Sequence, residues 1–417
     1  MADALNGNRS ILVAGGGMSG LSAALEAAEA GFQVYIVEKE PYLGGRVARM
    51  HRYFPKLCPP NCGLEINFRR IKSNPLIRFF TMAEVDRITG EAGNFDVTIK
   101  TSPRYVNEKC TGCGLCGQAA TTEVADPFNA GLSKVKAAYL PHDFAFPMRY
   151  VIAPEVIGTE EAAKIQAACP YGAIDTAMKP GEFDLKVGAV IWATGWQPYD
   201  AKKIPYYGFG KYKNVITNAM MERFASQNGP SAGKIIRPSD GAEAKRVAFI
   251  QCAGSRDENH LPYCSAVCCL ASLKQSSYVL DQAPENEASI FYIDIRALGK
   301  YEDFFTKAKA DPRLTLIKGK AGEVTEDPVT GMVTVQAEDQ ATGKILREQF
   351  DLVVLATGMA PMPVPMADLD DNGFVLANQA VPGIIGAGCA RRPGDVSSSV
   401  QDATAAALKA IQATCRR

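Results

Sequence analysis

The sequence predicts an α/β fold made of two strand–helix–strand units of the doubly wound, parallel-sheet type, with a cysteine-bearing segment inserted. Three observations carry this prediction. A G-x-G-x-x-G turn lies between an apolar strand and an Ala-rich helix near the N-terminus. A second strand–helix–strand pattern begins at KRVAFIQCAGSR, and two more apolar strands, AVIW and LVVL, each end in Ala-Thr-Gly. At 417 residues the chain is long enough for two or three domains.

Composition narrows the function classes. Hydrophobic residues make up 47% and charged residues 22%, as in ordinary globular proteins. Lys+Arg and Asp+Glu balance at 45 each, so no net field draws the chain to nucleic acid or anionic lipid. No stretch reaches the roughly 18 apolar residues that span a bilayer. The start, MADALNGNRS, lacks a charged segment followed by an apolar one, which predicts a cytoplasmic protein without a secretion signal. Any membrane association is expected to run through partner subunits.

Residues 10–38 form the first unit. ILVAG has the length and branching of a strand, GGGMSG supplies the turn, LSAALEAAEAG reads as a helix stopped by Gly31, and FQVYIVEK is a second buried strand. Gly15 permits the tight turn, Gly17 lets the backbone approach a pyrophosphate, and Gly20 lets helix and strand pack closely. Met18 and Ser19 begin the helix, whose unpaired N–H groups and positive dipole end attract phosphates. Glu38, with Lys39 beside it, stands where a carboxylate accepts bonds from a ribose hydroxyl. A glycine turn without a ligand is the bland alternative. The strand, helix, second strand and acid together favour the nucleotide.

Further segments carry a family resemblance. PYLGGRV places Gly44, Gly45 and Arg46 past the acid, and TMAEV (81–85) brings Val85 to a strand end. Ala193, Thr194 and Gly195 form one Ala-Thr-Gly turn, and a second ends at Gly358. PGIIGAGCARRPGDVSSSVQDATAAALKA closes the pattern. Together these resemble the two-dinucleotide-binding-domain flavoproteins. The resemblance implies FAD, with Val85 near the adenine. It also implies a flavin-contacting turn at Gly388 and Cys389, and a helix beginning near Val400 whose positive end faces the flavin pyrimidine.

The second unit departs from that pattern. After its first strand comes QCAGSRD, not a glycine fingerprint, so a pyrophosphate cannot approach in the usual way. Cys252, Cys264, Cys268 and Cys269 occupy the place, spaced C-x11-C-x3-C-C around a helix predicted over 265–280. Four thiolates suffice for a [4Fe–4S] cluster. The alternative is four buried cysteines acting as small hydrophobes. Twelve cysteines in a large chain without a secretion signal point to metal or redox chemistry rather than disulfides.

Just before the first Ala-Thr-Gly strand, 104–176 breaks into the fold and carries Cys110, Cys113 and Cys116 as C-x2-C-x2-C, and Cys169-Pro170 far downstream. This resembles a bacterial two-cluster ferredoxin with one ligand set erased. In that design three cysteines of one half share a cluster with the C-P cysteine of the other. Ala120-Thr121 stand at the first half's missing C-P, and Thr159, Ala162 and Ile165 at the second half's missing cysteines. A second [4Fe–4S] cluster is expected here, with zinc the alternative. The predicted boundaries are 1–103, 178–235 and 346–417 for the FAD domain, 104–177 for the insertion, and 236–345 for the nicotinamide-type domain.

The combination, with IQCAGSRDENHLPYCSAVCC, resembles the A-type subunit family of the heterodisulfide reductases. Within it the chain is short and ends soon after the flavin-contacting helix. It is most similar to the branch found in the quinone-interacting membrane-bound oxidoreductases of sulfate reducers. That resemblance implies partner flavoprotein/iron–sulfur and membrane haem subunits, and electron transfer between menaquinone and adenylylsulfate reductase. Outer-sphere transfer through FAD needs no catalytic acid or base, so His51, His142 and His260 are expected to pack or face solvent. Cys58 and Cys62 (LCPPNCG) are either a redox or ligand pair or plain structure. Competing readings are a bifurcating flavoprotein, an NAD(P)H-dependent disulfide oxidoreductase and a scaffold with FAD as a plug.

Overall fold

The computed structural model describes residues 9–54 and 56–415. Its first sheet has five parallel strands in the order Ile384–Gly386, Ala189–Trp192, Ser10–Ala14, Gln33–Glu38 and Ile77–Thr81. Ile11, Leu12 and Val13 on the central strand are fully buried, as a parallel sheet covered on both faces requires. One face carries the helices Met18–Glu29 and Val396–Cys415. Their alanines, among them Ala24, Ala28, Ala403 and Ala407, let the backbones approach closely. The other face carries an antiparallel sheet ordered Gly181–Val187, Asn94–Thr101 and Ala83–Glu91.

The second unit repeats the plan. Five parallel strands run Val215–Thr217, Leu352–Thr357, Arg246–Ala253, Glu287–Tyr292 and Leu314–Lys318. The sheet packs on the antiparallel strands Ala321–Glu326, Val333–Asp339 and Lys344–Phe350. The opposite face holds the helices Asn218–Ala225 and Cys268–Leu280. The expected boundaries shift accordingly. Val215–Thr217 and Leu352–Thr357 pair in the second sheet, so 178–235 and 346–417 are each divided between the units. The second Ala-Thr-Gly turn therefore closes the second sheet, not the first.

The insertion builds its own small core from Val106, Cys116, Ala120, Ala138, Ile152, Val156, Ile165 and Ile174. It has two short hairpins (Glu123–Ala125 with Lys134–Lys136, and Ala138–Tyr139 with Val151–Ile152) and the helices Leu115–Ala119 and Glu160–Ala167. The positions of the erased ligand set are filled. Ile165 is fully buried, Ala162 and Ala120 are nearly so, and the Thr159 hydroxyl caps its helix by accepting from the Ala162 amide at 3.4 Å. Phe128 and Ala145 leave this core and pack into that of the first unit. Among the described residues no helix is long and apolar enough to cross a membrane.

Candidate functional site

Four loops meet at the carboxyl ends of the first sheet, where ligands of such folds bind. Gly15 has φ +110°, closed to most side chains, and a Cβ there would strike the Ala193 carbonyl. A Cβ on Gly20 would collide with the Gly15 carbonyl, so glycine is what lets helix and turn touch. The Gly44 amide donates to the Gly16 carbonyl at 2.8 Å, and a Cβ on Gly45 would stand 2.8 Å from Gly17 Cα. The two glycine loops thus lie against each other. The helix Met18–Glu29 has no side-chain cap on its first turn, which leaves N–H groups of that turn for an anion.

The polar groups around this cradle suit a dinucleotide. The Thr194 hydroxyl is buried without a partner and adjoins Gly15. Glu38 is buried, and its carboxylate accepts from the Gly16 amide at 2.6 Å and the Glu40 amide at 2.8 Å. Burial pushes its pKa up to about 7 against those bonds. Arg46 donates to the Trp196 carbonyl at 2.5 Å and stacks on the Trp196 ring at 4.7 Å, tying the glycine pair to the turn at Gly195. Burial lowers its pKa to about 10. Lys39 is exposed, and Val85 is half-buried on the antiparallel sheet.

The C-terminal turn sits on the same helix. A Cβ on Gly388 would meet the Ser19 hydroxyl, and the Gly388 amide donates to Asp402 at 2.7 Å. The Cys389 thiol is buried, donating to the Gly394 carbonyl at 3.4 Å, and burial raises its pKa. Two expectations are corrected. The last helix begins at Val396, because the Asp395 carboxylate accepts from the Ser398 amide at 2.7 Å and caps it. Val400 therefore lies one turn inside and not at the open end. Gly358 belongs to the second sheet, where a Cβ would strike the Ser255 hydroxyl.

In the insertion, Cys110, Cys113, Cys116 and Cys169 line one small cavity, of about 20 Å³, walled also by Val106, Leu115, Tyr150, Tyr171 and Ile174. Gly112 and Gly114, with φ +73° and +86°, supply the left-handed backbone of the C-x2-C-x2-C loop. The Cys169 sulfur accepts from the Ala173 amide at 3.4 Å. Burial pushes the Cys116 thiol up to about 11, and the Cys110 and Cys113 sulfurs add to the shift. Among the described residues no three His, Cys, Asp or Glu side chains converge on a single metal ion. The fit to a cluster therefore rests on four thiols around a cavity.

The second set gathers at the carboxyl end of the second sheet, in the place Gly15 holds in the first. Cys252 is on the end of the strand Arg246–Ala253, Cys268 and Cys269 open the helix Cys268–Leu280, and Cys264 lies on the connection between. That helix has no side-chain cap on its first turn, a setting that favours thiolates. Burial raises the Cys252 thiol to about 11 and Cys268 further still. Each also feels the other sulfurs of the set. Cys252, Arg256 and Ala266 all have left-handed backbone, with φ between +56° and +62°. Such conformations cost free energy and gather at functional sites.

Cys58 and Cys62 stand apart from both sets. Cys58 pairs with Tyr53 through a backbone bridge, Cys62 lies in the first turn of the helix Pro60–Ser73, and neither is in a disulfide. Some charged residues carried no sequence signal. Arg296 and Arg256 flank Asp294 beside the second set, and of these Arg256 alone, in QCAGSRD, could have been picked out by its closeness to Cys252. A buried Glu222–Lys274 pair at 2.9 Å links the second unit to the loop after the glycine pair. Glu222 accepts from the His51 amide and Lys274 donates to the Arg52 carbonyl.

Residues 10–56 match the FAD dependent oxidoreductase family model. The chain is 39% identical, over 96% of its length, to a CoB–CoM heterodisulfide reductase iron-sulfur protein, an A-type subunit, of Methanopyrus kandleri, spanning 64% of that protein. It is 40% identical, over 96% of its length, to the A-type subunit of the H2/formate:CoB-CoM heterodisulfide,ferredoxin reductase of Methanococcus maripaludis, spanning 63% of it. The chain thus spans just under two thirds of these relatives. Among solved structures, thioredoxin reductase of T. acidophilum aligns over 97% of this chain and 98% of its own. Its TM-score is 0.55 at 16% identity, a likeness of fold alone.

Proposed function

We propose that this chain, a homologue of heterodisulfide reductase A-type subunits over 96% of its length, is the FAD and iron–sulfur electron-transfer component of a redox complex. The observation that carries the reading is the parallel between the two units. At the carboxyl end of the first central strand stands a glycine cradle, and at the same place in the second stand four cysteines. When bound, FAD would supply storage of one or two electrons, and [4Fe–4S] clusters would pass single electrons. The residues' work is to hold these groups and set their surroundings. Gly15, Gly17 and Gly20 admit the pyrophosphate to the backbone, and Glu38 takes a ribose hydroxyl. Thr194 and Gly388 close the cradle. Cys110, Cys113, Cys116 and Cys169 hold one cluster; Cys252, Cys264, Cys268 and Cys269 hold the other.

The finer assignment follows the sequence resemblance: exchange between the menaquinone pool and adenylylsulfate reductase, through membrane haem and flavoprotein partners. A heterodisulfide-reductase-type assembly is the second reading, favoured by the relatives' names. Anaerobic iron and acid-labile sulfide analysis, with photoreduction followed by EPR, tests the shared core. About eight irons per chain and two cluster signals are expected. About four irons would make one set structural, and no reducible flavin would favour the scaffold.

A further inference from the structure

Beside the second cysteine set lies a charged triad. The Asp294 carboxylate pairs through one oxygen with Arg256 and through the other, at 3.4 Å, with Arg296. The Asp294 carbonyl accepts from the Cys269 sulfur at 3.6 Å. Arg256 stands near Cys252 and Arg296 near Cys264, each close enough to be felt electrostatically. One of the four cysteines thus meets this salt-bridged group directly, and two more lie near it. The Arg256 side chain is three-quarters buried and held in left-handed backbone, so its position is fixed by the fold. The insertion cavity has no arginine among its lining residues, although the buried Arg104 is felt by Cys110.

We propose that Arg256, Asp294 and Arg296 act together to set, and raise, the reduction potential of the cluster held by Cys252, Cys264, Cys268 and Cys269. This rests on the cluster assignment above and adds a role for residues that bind nothing themselves. Reduction adds one electron, and so one negative charge, to the cluster. A net charge of +1, from two guanidinium groups less one carboxylate, stabilises the reduced form more than the oxidised one. Hydrogen bonds to the sulfurs act in the same direction. Asp294 has two effects: it aims both arginines, and it subtracts from their charge.

The test is an EPR-monitored redox titration of the holoprotein, with iron and sulfide measured per chain. The signal lost in Cys252→Ser identifies the cluster. Arg256→Gln is expected to lower its midpoint potential by about 59 mV, a tenfold change for one electron, and Arg296→Gln by less. Arg256→Lys keeps the charge and should keep most of the potential. Asp294→Asn removes the negative charge and should shift the potential upward. The opposite signs separate tuning from structural damage, which would lower cluster content without a signed shift. The insertion cluster should not move. An unchanged potential in both Arg→Gln variants, with the cluster retained, would overturn the proposal alone. Parallel movement of both clusters would also overturn it. Absence of the Cys252-dependent signal from the unaltered protein would overturn the cluster assignment with it.

Discussion

His142 is a base kept neutral by its neighbours. It packs between Tyr42, Phe128 and Phe144, and both ring nitrogens are buried without partners. Burial, with Arg223 and Arg49 nearby, lowers its pKa from 6.5 to about 3. The folded pKa is below the unfolded one, so its contribution to stability is full above pH 6.5 and is lost as pH falls toward 3. His142→Phe should therefore be tolerated and should flatten the acid side of a Tm–pH profile between those values. An unchanged profile would show that the ring reaches water. At the cradle, Gly20→Ala forces helix and turn apart. Overpacking of this kind costs about 1–3 kcal/mol, which predicts FAD binding weaker by roughly ten- to a hundredfold on titrating flavin into stripped protein.

The helix Asn218–Ala225 joins three parts of the molecule. Thr217 caps it, Glu222 meets Lys274, Gln275 and the His51 amide, and Arg223 reaches Asn129 of the insertion and the Arg49 carbonyl. Burial raises the Glu222 carboxyl, but Lys274 and the hydrogen bonds outweigh it and hold the pKa below the ordinary value. Glu222→Gln leaves the Lys274 charge without its partner. A loss of about 3–5 kcal/mol in denaturant unfolding is expected. In the insertion, Cys116→Ser should remove one cluster and about four irons per chain, and leave the flavin bound. Loss of both clusters would mean that the sets depend on each other.

These elements also mark how far the sequence could be read. The glycine turn and the C-x2-C-x2-C loop were legible because their chemistry demands fixed residues at fixed, short spacing. The strand Leu352–Thr357 was not placed correctly, since both units end a strand in Ala-Thr-Gly and only pairing with Arg246–Ala253 decides its sheet. The start at Val396 is legible from Asp395, an N-cap residue type directly before it. Arg256 and Asp294, 38 positions apart, become neighbours only through the fold.

At the scale of the whole molecule, two units of similar architecture present different residues at the same address. The first keeps glycines, which let a backbone approach phosphates. The second has cysteines and a salt-bridged triad, and its turn after the central strand is QCAGSRD. A Cβ on Gly254 in that turn would run into the Tyr199 ring, so the ring packs directly on the turn. Electrons should then reach the flavin from a cluster or a partner and not as hydride from a nicotinamide. Mixing the anaerobic, FAD-loaded protein with NADH or NADPH and following flavin absorbance tests this directly. The flavin should stay yellow with both nucleotides; rapid stoichiometric bleaching by either would mean that the second unit still delivers hydride, and would overturn the assignment of its cysteines.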